Sequence, residues 1–236
     1  MPVDFKSRAY LVAVSVAGLI ALAASAPSVP FQEWRGLLLF AALCGVAQLM
    51  PISLFRSSSV SVSAGVIFAG LILYGPMAAI WINLGSAAVA AFRPRLKPIH
   101  KIIFNIGNHA LAAAAAGAVY VSLGGTSRPQ QVFAVVLPIL VAAVCYFVVQ
   151  TLIISGIIVM TERTSFWKTW DTNFRRSALN FVALAIISVS VAAAEMSIGT
   201  IGILVFSVPL VMAWFVFRYI QDQAVADTKT GSQVSQ

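Results

Sequence analysis

Charged residues are scarce in this sequence: Asp, Glu, Lys and Arg together make up only 9% of its 236 positions, against 60% hydrophobic residues. A soluble domain carries roughly 25% charged residues, and a water-soluble fold of this length has nowhere to hide so much apolar surface. The deficit is sharpest for acids, with 7 Asp and Glu against 15 Lys and Arg. Asp4, Glu33, Glu162, Asp171, Asp222 and Asp227 fall in expected loops or tails, and Glu195 at the end of an apolar stretch. No carboxylate is therefore expected near a bilayer midplane, where a proton relay or carboxylate-coupled transporter needs one. Histidine and cysteine occur only twice each. Neither His100 nor His109 has a second His, Cys or acid at ligand spacing. Cys44 and Cys145 lie in separate apolar segments, which fits small buried packing residues rather than a disulfide or metal site. HExxH, GxSxG and Walker patterns are also missing. The expectation is a non-enzyme without catalytic residues, metal or cofactor.

Long apolar runs are what the sequence does have. They fall at Tyr10–Ser25, Trp34–Met50, Val60–Leu73, Pro76–Phe92, Ile99–Val121, Phe133–Met160, Ala178–Ala194 and Ile201–Tyr219. Several approach the roughly 20 residues that cross a bilayer as a helix, and the alternation of a membrane barrel is not seen. The expected fold is all-α: a polytopic transmembrane bundle over 1–221 with a disordered polar tail at 222–236. Whether 60–92 is one span or two depends on Gly75 and Pro76, the expected hinge. Proline has no amide hydrogen and pushes the residue before it away from helical angles, so Tyr74-Gly75-Pro76 reads as a turn. Membrane helices also tolerate kinks at proline, so the loop charges serve as a second test. With the split and the N-terminus inside, Lys6, Arg8, Arg56, Arg93, Arg95, Lys97, Lys101, Arg163, Lys168, Arg175, Arg176, Arg218 and Lys229 share the cytoplasmic side. Only Arg35 and Arg128 lie outside, 13 against 2. Without the split the count is 4 against 11. Short cytoplasmic loops hold the excess of Lys and Arg, so the break is favoured. The two halves are short for full spans, which suits a partly re-entrant hairpin shielded by neighbours.

The +8 net charge is thus topological, and no nucleic-acid partner is expected. Lys6 and Arg8 before an apolar run and Ala24-Ser25-Ala26 imitate a cleavable signal peptide. Against cleavage, Ala13, Ala17, Ala21 and Ser25 form a small-residue stripe suited to close helix packing. The richest polar group is in "FNIGNHALAAAAAG", where Asn105 and His109, four apart, share a helical face, with Asn108 beside them and Asn83 from the preceding segment within reach. Two readings stay open: a pocket for a small amphiphilic ligand, or hydrogen bonding between helices, the role also expected of Gln150 and Asn180. In "TERTSFWKTWDTNFRRS", Phe166, Trp170 and Phe174 recur every four residues with Trp167 beside them. Lys168, Asp171, Arg175 and Arg176 take other positions. A short helix in the membrane interface is expected there, touching lipid headgroups or a cytoplasmic partner.

The stretches "LMPISLF", "SVSVSAGVIFAGLILYGPMAAI", "KIIFNIGNHALAAAAAGAVY" and "SFWKTWDTNFRRSALNF", in this order, resemble the bacterial membrane-associated sensor domain found before HD-GYP phosphodiesterase or GGDEF cyclase modules. The resemblance runs over roughly Trp34 to Asp222. It implies a helical membrane bundle in a bacterial inner membrane that passes a signal to a cytosolic output module. After "FRYIQDQ" too few residues follow for such a module, and neither an HD nor a GGDEF motif occurs. The expectation is therefore a stand-alone sensor-like module that answers a small amphiphilic or membrane-borne signal and couples to a separate cytoplasmic protein. Coupling is expected through the last segment, with Pro209 as a hinge and Arg218-Tyr219 at its exit. A homo-oligomer is compatible with the sequence. The rivals are a substrate-binding subunit of a vitamin-type transporter, whose first-helix small residues and Gly-Pro break are similar, and a non-catalytic scaffold.

Overall fold

The computed structural model describes residues 5–55, 58–92, 96–174 and 178–203, with 205 and 212. Helices follow one another along the chain: α1 (Phe5–Ser25), α2 (Trp34–Gln48), α3 (Ser63–Tyr74), α4 (Pro76–Phe92), α5 (Ile99–Ser122), α6 (Val136–Glu162), α7 (Phe166–Asn173) and α8 (Ala178–Ile198). Four stretches are long and apolar enough to cross a membrane: Phe5–Ser28, Ile99–Ser122, Val132–Glu162 and Ala178–Ile198. The chain divides into two compact units, Met1–Ala193 and Ala194–Gln236. In the second, α8 closes at Gly199, whose φ of 67° is the left-handed value that ends many helices. Residues 200–203 are helical again. Apart from 205 and 212, the rest of the expected last segment, its hinge Pro209, its exit at Arg218-Tyr219 and the expected tail lie outside the described residues.

The chain is helical as expected, with one short exception. Between α2 and α3 the chain forms an antiparallel hairpin, β1 (Pro51–Phe55) with β2 (Ser58–Ser61), in the register Pro51↔Ser61, Ile52↔Val60 and Ser53↔Ser59. Ile52, Leu54 and Val60 alternate with serines there, the period of a strand rather than a helix. The third helix accordingly begins at Ser63, after the expected start at Val60.

The break at Gly75 and Pro76 is present. Gly75 adopts φ 86° and ψ 175°, a region open in practice only to glycine, and Pro76 starts α4, where a missing N–H costs nothing. Side-chain pairs show that α3 and α4 fold back on each other. Ser63 Oγ is 3.4 Å from Ser86 Oγ, and a Cβ on Gly70 would lie 2.6 Å from Ile82 Cδ1. With 12 residues, α3 is about 18 Å long, short of a hydrocarbon core of about 30 Å. All of its residues except Val66 are buried, so neighbouring helices shield it from lipid.

Across the bundle, α1 runs parallel to α5 and antiparallel to α6. The Tyr10 and Phe104 rings are 6.3 Å apart, Gly18 meets Gly107, and Tyr10 OH donates to the Ile153 carbonyl at 3.0 Å. Antiparallel α4 and α5 meet at Asn83 with His109 and at Pro76 with Gly117. One end of the bundle therefore carries Lys6, Lys97, Lys101 and Arg163, and the other carries Arg35 and Arg128. The packed face of α1 is Val14, Gly18, Leu22 and Ser25. This corrects the expected alanine stripe, since Ala13 and Ala17 are exposed. Gly18, with no side chain, allows the close approach that the alanines were expected to provide.

A Cβ on Gly107 would lie 2.6 Å from the Val14 carbonyl oxygen, a backbone atom that cannot rotate away. Gly107→Ala should cost about 1–3 kcal/mol, read as a lower temperature at which the monodisperse peak is lost in detergent. Gly124→Ala meets nothing within 4 Å at φ 83° and should cost only the left-handed backbone, about 1 kcal/mol. Equal melting of the two variants would contradict the α1–α5 contact.

Candidate functional site

A partly open cavity of about 280 Å³ lies at the end of the bundle that carries Lys97. Every helix from α2 to α6 contributes to its wall, with α8 and the loop after α7. Gln48 at the end of α2 and Ser63 at the start of α3 line it and form a hydroxyl–amide cluster with Ser86 of α4, which lies outside the lining. Gln48 Oε1 accepts from Ser63 Oγ at 3.0 Å and from Ser86 Oγ at 2.8 Å. These groups meet because α3 folds back along α4, returning Ser63 to the level of Ser86.

The second polar group ties α4, α5 and α6 together. Asn83, 1% exposed, donates from Nδ2 to the His109 carbonyl at 3.0 Å and to Tyr146 OH at 3.1 Å. Tyr146 OH in turn lies 3.3 Å from His109 Nδ1. The tyrosine oxygen already accepts from Asn83, and its own proton has no other acceptor among the described residues. The arrangement that satisfies all three groups has Tyr146 donating to Nδ1, which leaves the imidazole proton on Nε2.

The four residues expected to form a pocket separate in space. Asn105 and His109 line the cavity, as their four-residue spacing allows. Asn83 stands behind them, and its Oδ1 is buried without a hydrogen-bond partner among the described residues. Asn108 is buried outside the cavity lining, its Oδ1 likewise without one; one residue before His109, it is turned about 100° round α5 from it. Gln150, expected as packing glue, lines the cavity. Gln48, Ser63, Lys97, Tyr146 and Thr151 also line it; they come from three apolar runs and a loop, Tyr146 and Thr151 sharing α6, and none has a local pattern that could have singled it out.

The expected interfacial helix is present as α7, but its aromatic residues do different things. Trp167 is 72% exposed and packs edge-on against Phe166, ring centroids 5.5 Å apart. Trp170 turns onto α6, where its Nε1–H donates to Thr151 Oγ1 at 3.0 Å and its ring lies 6.2 Å from Phe147. Phe174 reaches the cavity wall. Arg175 and Arg176 lie outside the described residues. No group of three His, Cys, Asp or Glu side chains suited to a metal ion comes together among the described residues. Cys44 is buried, and Cys145, expected buried, is half-buried; both are free.

The MASE9 family model matches residues 19–222. The chain belongs to this family of membrane-associated sensor domains. The MASE9 match takes in the last third of α1, all of α2 to α8 and every described residue of the cavity wall, so the cavity is part of the sensor domain itself. Membership supports a membrane location and a sensor role, and does not favour the transporter alternative. No curated protein and no solved structure matches the chain.

The hydrogen bonds divide the site into groups with protein partners and groups without. Tyr146→Phe strips a bond from both Asn83 and His109 and should lower stability by about 1 kcal/mol or more. Asn105 has no protein hydrogen bond among the described residues, and Asn105→Ala should stay within about 0.5 kcal/mol of wild type. Thermal unfolding of the detergent-solubilised variants checks both, and a large loss for Asn105→Ala would make it structural.

Proposed function

We propose that this chain is an integral-membrane sensor module whose cavity holds a small amphiphilic ligand, and whose α7 segment passes occupancy to a cytoplasmic output protein. The observation that carries this is the construction of the cavity wall. Asn105 of α5, without a hydrogen-bond partner among the described residues, and His109 share the wall with aromatic residues of α6 and α8, and Thr151 and Phe174 connect it to α7. A ligand that pressed on this wall would change the docking of Trp170 and the position of the loop that follows. The module is non-catalytic in this proposal.

Orientation is part of the same proposal. The end with Lys6, Lys97, Lys101 and Arg163 faces the cytoplasm of a bacterial inner membrane, and the Glu33–Arg128 ion pair, 3.2 Å, faces outward. The basic excess on one side supports this. Seven described helices run between the two ends, and the expected last segment would make eight, returning the C-terminus to the cytoplasm.

Native mass spectrometry of protein released gently from its own membranes tests ligand holding. Wild type should retain a defined small molecule that Asn105→Ala/His109→Ala loses while remaining folded; bulk lipid alone in both would reduce the polar groups to packing contacts. Orientation is checked with a membrane-impermeant maleimide on spheroplasts in a Cys44→Ala/Cys145→Ala background. Gln130→Cys should react in intact spheroplasts and Lys101→Cys only after lysis. The reverse pattern would invert the bundle.

A further inference from the structure

The hydrogen-bond inventory of the cavity is unbalanced, and the imbalance specifies a charge. Lys97, on the wall, is an ammonium with three donors and no acceptor, and makes no ion pair among the described residues. His109 Nδ1 is occupied by Tyr146 OH, so Nε2–H is the free donor of that ring. The Gln48 carbonyl is occupied by two serine hydroxyls, which leaves its amide hydrogens. Thr151 is already used, donating to the Phe147 carbonyl at 2.7 Å and accepting from Trp170. Asn105 and Gln150 can each donate or accept. Among the described residues no carboxylate lines the cavity; the acids on the nearest elements, Glu162 and Asp171, are exposed. The polar lining therefore offers, among the described residues, one full positive charge and an excess of N–H donors. The rest of the lining is apolar, with Phe147 and Phe181, ring centroids 5.1 Å apart, Ile154 and Phe174.

Resting on the ligand-binding proposal above, we infer that the cavity selects an anionic amphiphile, its phosphate or carboxylate head held by Lys97, His109 and Gln48 and the start of its hydrocarbon chain lying on the phenylalanines. A volume of about 280 Å³ equals roughly nine waters at about 30 Å³ each. That is room for a head group and a short stretch of chain, the remainder leaving through the open side. A neutral head of the same size would leave the ammonium without a counter-charge in a half-buried site, and a cationic head would add a like charge to it.

The test uses the full chain in phosphatidylcholine nanodiscs, titrated with dodecyl phosphate, dodecanol and dodecyltrimethylammonium, with saturable binding counted by native mass spectrometry. Dodecyl phosphate should bind at least about tenfold more tightly than the other two, the worth of one charge-assisted bond. Lys97→Gln should erase most of that preference and Lys97→Arg should keep it. The half-exposed loop position of Lys97 makes both variants compatible with folding. Competition by phosphatidylglycerol in the disc would mark the head as that of a bilayer lipid, and competition by inorganic phosphate would mark a free anion; either supports an anion site. Equal binding of the three amphiphiles, or a preference that survives Lys97→Gln, overturns the charge assignment while leaving the sensor proposal standing. Saturable binding by none of the three overturns the charge assignment, and retention of another molecule from native membranes would still support the sensor proposal.

Discussion

Away from water, every peptide N–H and C=O needs a partner inside the protein, and the reversal at Tyr74-Gly75-Pro76 is where this chain meets that requirement most tightly. Proline brings no amide hydrogen, and the last carbonyls of α3 lose their helical partners there. Three bonds close the gap. Gly75 N–H donates to the Leu71 carbonyl at 3.1 Å, Ala79 N–H to the Gly75 carbonyl at 3.1 Å, and Arg128 N–H, from the loop between α5 and α6, to the Ile72 carbonyl at 2.8 Å. Arg128 adds its guanidinium to the Tyr74 ring at 5.7 Å and to Glu33. Because the reversal holds, Ser63 returns to the level of Ser86, and Gln48 finds two hydroxyls. Were 60–92 one straight helix, Ala90 and Lys97 would leave at the end opposite Ser63, and no cavity could have both in its wall.

The second dependency is the closeness of α5 to its neighbours. Gly107 lies against the α1 backbone and Gly117 against Pro76, while Ala110, Ala112, Ala113 and Ala116 are buried between them. A helix packed through its backbone on two sides has little freedom to roll, so the direction of His109 is fixed before any ligand arrives. The Asn83 bond to the His109 carbonyl pins the same residue by its main chain. What remains open is the side facing α6 and α8, where bulky phenylalanines replace small residues and the packing leaves a space.

Much of this was legible in the sequence, for identifiable reasons. Span positions follow from run length, and the reversal follows from proline's missing hydrogen together with the distribution of Lys and Arg; both signals are local or additive. The pairing of Asn105 with His109 is a matter of helical period. The face of α1 that packs was not legible, because a helix apolar all round has no polar side to point away from the core. Ala13 and Ala17 are small, yet Gly18 is smaller, and backbone contact with Gly107 decided the rotation. The contributions of Tyr146, Gln48 and Thr151 are products of the tertiary arrangement, since each gains its role from partners 15 or more residues away in at least one bond, such as Gln48 with Ser63. The serine alternation at 51–61 is a local signal for the hairpin, but a short one beside the long apolar runs on either side.

Thr151 is the point where the cavity and α7 share a single atom. Its hydroxyl proton goes to its own helix, to the Phe147 carbonyl or at 3.2 Å to the Val148 carbonyl, and its lone pairs serve Trp170. A ligand group that donated to Thr151 would compete with the indole N–H, and one that filled the space beside Phe174 would push on the loop leaving α7. A hydrogen bond of this kind is worth about 1 kcal/mol, and a difference of about 1.4 kcal/mol between docked and released α7 is a tenfold change in their ratio. A bound molecule thus needs only one differential contact at this wall to bias α7 by about fivefold. Contacts on the far side of the cavity, to Asn105 or His109, add affinity without bias unless they differ between the two states. In such a sensor the head-group contacts would set how much ligand binds, and the Thr151–Phe174 wall would set what binding does.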